Sequence, residues 1–323
     1  MALSLEKGAD IVISRWCKVQ SGEKVLIVSD ESHSHEGMAL WRAVDRRGAS
    51  AILITIPEDC AQAGVLFESM HGLLLQHQVI IGATNFSLIT NKTVLDVVSK
   101  GGRFLSLPLS SNNGKSTLTF NFMEMDPAAA DTLSQGMRKT LQSAETLHVT
   151  TDIGTDLTFH KSGRKPGLFN GLADEPGKIG SSSFEIYIGI EETKTNGHAV
   201  VDGSLGYLGC PPDRIHLTFK DGRLVEIEHN DGGILLGSYL ESFKDPRIYT
   251  AGEFGIGLNK KSRCCGNCYI EDESAYSTFH IGMGRNLALG GVHDAAGHFD
   301  LVFHKPTIYA DHIMIMKDGQ ALV

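Results

Sequence analysis

Three short segments late in the chain place carboxylates and imidazoles where the sequence offers few cations to pair with them: Glu253 in GEFGIG, His280 in FHIGMG, and His298 with Asp300 in HFD. Such groups, set among glycines and apolar residues, are the ligand types of a divalent metal ion. A strand turns successive side chains to opposite faces, so His298 and Asp300 project from one side and can reach the same ion. Around Glu253 no Lys or Arg occurs nearer in sequence than Arg247 and Lys260. A buried carboxylate so placed is costly unless a cation compensates it. His280 alternates with apolar neighbours in TFHIGMG, a pattern that a hydrogen-bonded core histidine would also give. Glu185 in SSFEIYIGI points away from the side taken by Phe184, Ile186 and Ile188, which reads as a solvated strand face. The chemistry suggested is metal-dependent hydrolysis.

Other motifs carry less. Cys264, Cys265 and Cys268 in CCGNC make half of a zinc site whose partner pair is missing, so a loop near the site is expected. SSNNGKST resembles a phosphate-binding loop but has Leu109 where the opening glycine belongs, which leaves Lys115 a loop lysine. His33 and His35 follow a strand at the end where open sheets bind ligands, but a helix start capped by Ser34 accounts for them.

These residues need elements to position them. Up to about residue 145, helical and strand patterns alternate: helix from Leu3 to Val19, strand Lys24 to Asp30, helix His35 to Arg47, strand Ala51 to Ile56, strand Val79 to Thr84, helix Thr93 to Ser99 and strand Arg103 to Leu109. Strands separated by helices imply an open, mostly parallel α/β sheet. After the amphipathic stretch Ala128 to Ala144, β-rich segments with Gly, Asn and Asp punctuation take over, including a hairpin at Asp221-Gly222 and another in MKDGQALV. We expect two domains, an α/β domain over 1–146 and a β-rich α+β metal-binding domain over 147–323.

Bulk composition narrows the function. The chain has 323 residues, 41% hydrophobic and 21% charged, as expected of a folded globular protein. A net charge of -9 provides no basic field for nucleic acid. No apolar run approaches the length of a membrane span, and six cysteines are too few for a disulfide framework, so a cytoplasmic protein with reduced thiols is expected.

GEFGIGLN, IEDESAYSTFHIGMGRN, the Gly290-Gly291 pair, HFD and a PTIYADH tail resemble, in order and spacing, the C-terminal half of the thermophilic-type metallo-aminopeptidases typified by aminopeptidase T. GTDLTF with Gly163-Arg164, the ADEPG turn and NGHAVVDGSL add to the resemblance, which is recognisable over about 147–312 and looser elsewhere. It implies a homodimeric enzyme with two divalent ions (Zn, Co or Mn) and a small peptide or amide substrate. By motif, Glu185, Glu253, His280, His298 and Asp300 match the metal ligands of that family. A tyrosine ligand is also implied, but its place falls at Leu287, leaving one position to water, to another side chain or empty. Glu191, Glu192 and Glu273 are candidate general bases. A second branch of the superfamily, 2,5-dihydroxypyridine 5,6-dioxygenase, implies one Fe(II) on two histidines and an aspartate. That branch has histidine in place of Glu253 and none at His280, yet His280, His298 and Asp300 alone could form a facial triad for iron. A metal-binding relative without activity is the remaining alternative.

Overall fold

A computed structural model describes residues 2–58 and 60–323, with the side chains of 60–63 outside the description. The chain divides into two compact units, residues 1–127 with 169–183, and residues 128–168 with 184–323. A single cut at 146/147 does not reproduce this division. The helix of the amphipathic stretch belongs almost wholly to the second unit, and 169–183 returns to the first because it contributes a strand there.

In chain order the first unit opens with α1 (Leu5–Ile11), β1 (Lys24–Asp30), α2 (Ser34–Arg46), β2 (Ser50–Ile56), α3 (Cys60–Ser69), α4 (His71–Leu74), β3 (Val79–Ala83), α5 (Lys92–Ser99) and β4 (Arg103–Ser106). The remaining elements are α6 (Pro127–Ser143), β5 (Thr146–Thr150), β6 (Asp156–His160), β7 (Gly167–Asn170), β8 (Ile179–Ser181), β9 (Phe184–Gly189), β10 (Asn196–Val201), β11 (Ile215–Lys220), β12 (Arg223–Ile227), α7 (Asp231–Ser242), β13 (Ala251–Gly257), α8 (Tyr269–Ser274), β14 (Thr278–Gly284), β15 (His298–His304), β16 (Thr307–Ala310), β17 (Ile313–Lys317) and β18 (Gln320–Ala321).

The first unit is an α/β fold with a parallel five-stranded sheet in the order β2-β1-β3-β4-β8. Apolar runs such as KVLIVSD bury both faces of the central strands, and Leu26, Val28, Ile80 and Phe104 pack with Phe67, Leu74 and Val94 from the helices. Asn91 caps α5 by accepting from the Thr93 N–H at 2.9 Å, satisfying one of the free donors of that helix. Ser34 is not the cap of α2. The cap residue is His33, whose ring instead pairs with Asp30 at 2.7 Å and with the Leu109 carbonyl at 3.2 Å, while His35 is exposed. The fifth strand is the three-residue Ile179–Ser181, too short and too glycine- and serine-rich to announce itself as a strand.

The second unit is strand-rich and antiparallel. One sheet has the order β12-β11-β10-β6-β5-β16-β17-β18 and the other β15-β14-β13-β9-β7. Both hairpin expectations hold: Asp221 and Gly222 (φ 49° and 81°) and Asp318 and Gly319 (φ 46° and 77°) adopt the left-handed conformations of a tight turn. Cys17, Cys210, Cys264, Cys265 and Cys268 are free thiols, and the side chain of Cys60 lies outside those described. Among the described residues no helix is long and apolar enough to cross a membrane.

Candidate metal centre

The five-stranded antiparallel sheet is buried on both sides along β13 and β14. Its two faces differ in kind. Phe184, Ile186 and Ile188 of β9, Phe254 and Ile256 of β13, Phe279, Ile281 and Met283 of β14, and Phe299, Leu301 and Phe303 of β15 form the apolar side, with stacked rings such as Phe279 on Phe303 at 4.6 Å. The alternate positions present Glu185, Glu253, His280, His298 and Asp300 together on the other side. Glu185 is therefore not on a solvated face; it is 5% exposed.

Register explains how these large side chains fit. Glu185 sits opposite Gly257, Glu253 opposite Gly189 and Gly282, His280 opposite Gly255, Asp300 opposite Gly282, and His298 opposite Gly284. A Cβ on Gly255 would stand 1.9 Å from His280 Nε2, and one on Gly282 would stand 2.6 Å from the His298 ring and 2.7 Å from Glu253 Oε2. The glycines that surround these polar residues in the sequence are the floor of a cradle for their side chains.

Within it, His280 Nε2 lies 2.8 Å from Glu185 Oε2, and His298 Nε2 lies 3.0 Å from Glu253 Oε2 and 3.5 Å from Asp300 Oδ1. His298 Nδ1 bonds the Arg285 carbonyl at 2.7 Å, which orients the ring and turns Nε2 towards the carboxylates. Burial drives Glu253 above the usual carboxylate range, helped by the charges of Asp300 and Glu185 and opposed by His298. Burial alone would lower His280, but its bond to Glu185 and the charges of Glu185, Asp300 and Glu253 outweigh this and push it up to about 9. His298 is raised for the same reason, by Asp300 and Glu253 against burial. Asp300 is held below its ordinary range in spite of burial, by the two histidines and the Tyr269 hydroxyl.

Ligand-capable atoms lie within 4.8 Å of one another in two groups, Glu185 with Glu253 and His280, and Glu253 with His298 and Asp300. These are the five residues singled out in the sequence, and Glu253 belongs to both groups. Among the described residues, no such group joins His280 to His298, so the facial triad His280, His298 and Asp300 is not formed. The donor set fits divalent cations: carboxylates outnumber imidazoles, Asp300 Oδ1 and His280 Nδ1 are buried without hydrogen-bond partners, and the glycine cradle keeps the space open.

Sequence reading missed Tyr269 and left Glu273 as one of several alternatives. Both lie on α8, four residues apart and therefore on one helical face. The Tyr269 hydroxyl donates to Asp300 Oδ2 and lies against Glu273. Glu273 is 4% exposed and held well above the usual range by burial and by the charges of Glu185, Asp300 and Glu253. Glu191 and Glu192 are engaged elsewhere, Glu191 with Lys194 at 3.1 Å and Glu192 with Arg164 at 2.9 Å. Tyr187 shares the face of Glu185 and Glu253, its phenol pushed up to about 12 by burial and by the charges of Glu253 and Glu185. The i, i+4 spacing in YIEDE was the available signal for α8, masked by a helix of only six residues. The CCGNC loop does lie near the site: the Cys265 and Gly266 N–H groups bond Asp272, next to Glu273.

A family model described as NicX, 2,5-dihydroxypyridine 5,6-dioxygenase, matches residues 13–323. The chain belongs to this family. A 2,5-dihydroxypyridine 5,6-dioxygenase of Pseudomonas putida KT2440 is 27% identical over 198 residues, 56% of this chain, and the match spans only 55% of that relative's length. The fold is shared with the solved 2,5-dihydroxypyridine dioxygenase of Pseudomonas putida KT2440 (TM-score 0.82, 18% identity, 99% of this chain and 97% of that one). It is shared as well with AmpT from Thermus thermophilus (TM-score 0.69, 15% identity, 99% of each chain). Both branches of the sequence resemblance are thus represented, and the family assignment falls to the NicX branch. The family and these relatives point to an enzyme.

Proposed function

We propose that the protein is a metal-dependent, aminopeptidase-like hydrolase cleaving a peptide or amide bond. Two divalent cations (Zn, Co or Mn) would be held by Glu185, Glu253 and His280 and by Glu253, His298 and Asp300. The observation that carries this reading is the membership of Glu253 in both ligand groups. A shared carboxylate with two oxygens is what spaces a pair of ions roughly 3.5–4 Å apart in hydrolytic sites. When bound, such ions lower the pKa of a water and polarise the scissile carbonyl. The chain's own residues fix the rest. Burial keeps bulk water from the carboxylates, the bond from His298 Nδ1 to the Arg285 carbonyl fixes one imidazole, and Tyr269 holds one oxygen of Asp300. A net charge of -9 favours a small substrate with a free amine. A cytoplasmic homodimer belongs to the same proposal, and mass in solution tests the dimer.

A second reading, a mononuclear Fe(II) ring-cleaving dioxygenase, is favoured by family membership and by the name of the Pseudomonas putida relative. Each histidine here, however, groups with two carboxylates, whereas the iron site wants two histidines and one carboxylate on one ion. Elemental analysis with turnover assays separates the two. Two Zn, Co or Mn per chain with arylamine release from amino-acid arylamides supports hydrolysis. One iron with oxygen uptake on a dihydroxypyridine overturns it, and a loaded protein without turnover on either substrate class marks an inactive relative.

A further inference from the structure

We infer that Tyr269 is the positioning residue of the Glu253, His298 and Asp300 group, its hydroxyl holding one oxygen of Asp300 so that the other is left for the ion. This rests on the two-cation reading above. Asp300 is 2% exposed, and its two oxygens are treated differently. Oδ2 accepts from Tyr269, while Oδ1 has no hydrogen-bond partner and lies 3.5 Å from His298 Nε2, on the side where that group's ligand atoms converge. A free carboxylate can rotate or chelate through both oxygens. One with a donor fixed on Oδ2 offers a single oxygen in one direction.

The phenol is itself held. It stacks on Tyr207 with ring centres 4.5 Å apart and planes at 27°, and it is 8% exposed. Gly206 packs beneath both partners: a Cβ there would lie 3.5 Å from the Tyr269 ring and 3.3 Å from the Asp300 carbonyl oxygen. Leu205 bridges to Leu301, next to Asp300, so the segment carrying Tyr207 is tied to the strand that carries the ligand. Donor, ring and carboxylate therefore form one rigid unit, the arrangement by which groups behind a metal ligand fix its direction. Tyr269 comes from α8, not from the segment after β14 where Leu287 stands, so this chain supplies a tyrosine to its site by a different route through the fold.

The test is calorimetric titration of Zn or Mn into ion-free wild type, Tyr269→Phe, Tyr269→His and Tyr207→Phe, with melting of each ion-free protein as the folding control. Wild type should take two ions. In Tyr269→Phe one affinity should fall by about 10- to 100-fold while the other stays at its wild-type value. Tyr269→His, which keeps a ring and a donor, should recover much of the loss, and it remains decisive if Tyr269→Phe does not fold. Tyr207→Phe should keep both affinities. Wild-type affinities at both sites in Tyr269→Phe, or no recovery in a folded Tyr269→His, would overturn the inference while leaving the functional reading standing. A wild type that takes up no ion overturns both.

Discussion

The parallel sheet of the first unit and the sheet carrying the polar cluster in the second are both buried along their central strands, yet among the described residues only the second gathers carboxylates and imidazoles in metal-sized groups on one buried face. In β3, VIIGA is buried at every position and packs apolar side chains on both sides. In β14, TFHIGMG is buried just as completely, but alternate positions are Thr, His and two glycines. Burial alone does not tell a core from a site. What tells them apart is whether one face pairs large polar side chains with glycines on the neighbouring strands, which gives those groups room without giving them water.

The strongest way to break this contrast is at Glu253. On the two-cation proposal, Glu253→Ala removes the candidate ligand common to both groups, and ion content should fall from two per chain to well below one. Activity should drop by more than the ~100-fold that loss of a supporting group typically produces. Unchanged ion content by elemental analysis would dissolve the distinction between the two sheets. A finer test compares one glycine from each. Gly282→Ala drives a methyl to within 2.7 Å of Glu253 and His298, and should cost about 1–3 kcal/mol with weakened ion uptake. Gly82→Ala meets the Phe104 ring at 3.2 Å and Leu88 at 3.4 Å, side chains that can shift, and should stay below about 1.5 kcal/mol. Thermal melts of the two variants should differ accordingly; equal shifts would mean that the cradle is not tight.

The smallest effect separates carboxylates with and without a guanidinium. Glu192 is held down to about 2, against burial, by Arg164, the Val292 N–H and Asn286. A depressed carboxylate stabilises the fold above its unfolded value of about 4.5 and loses that contribution as pH falls towards 2. Glu192→Gln should therefore lower the melting temperature most at neutral pH, flatten the acid limb over that window, and leave the protein least affected near pH 2. An acid limb identical to wild type would show that Glu192 contributes nothing there.

Much of this was legible in the chain. Apolar runs between helical patterns fixed the parallel sheet, because a strand buried on both faces has to be apolar throughout. Asp-Gly pairs fixed two hairpins, because their left-handed conformations are local. Glu253, His280, His298 and Asp300 stood out because carboxylates and imidazoles in apolar, glycine-rich strands lack local partners, whereas Glu185 joined them only through the resemblance. Local pattern failed where the partner lies far off in sequence. Glu185 read as solvated because alternation says only that two faces differ, not that both are covered. Tyr269 escaped notice because its tie to Asp300 crosses 31 residues and two elements.

By itself, then, the sequence determined which side chains would share a strand face, since a period of two is a property of the backbone alone. Only the tertiary structure decided that Glu253 belongs to two groups of ligand-capable side chains, that glycines stand opposite these side chains, and that α8 brings a phenol to Asp300. Those facts depend on strand register and helix placement, which are set by packing across the whole unit and by no single stretch of chain.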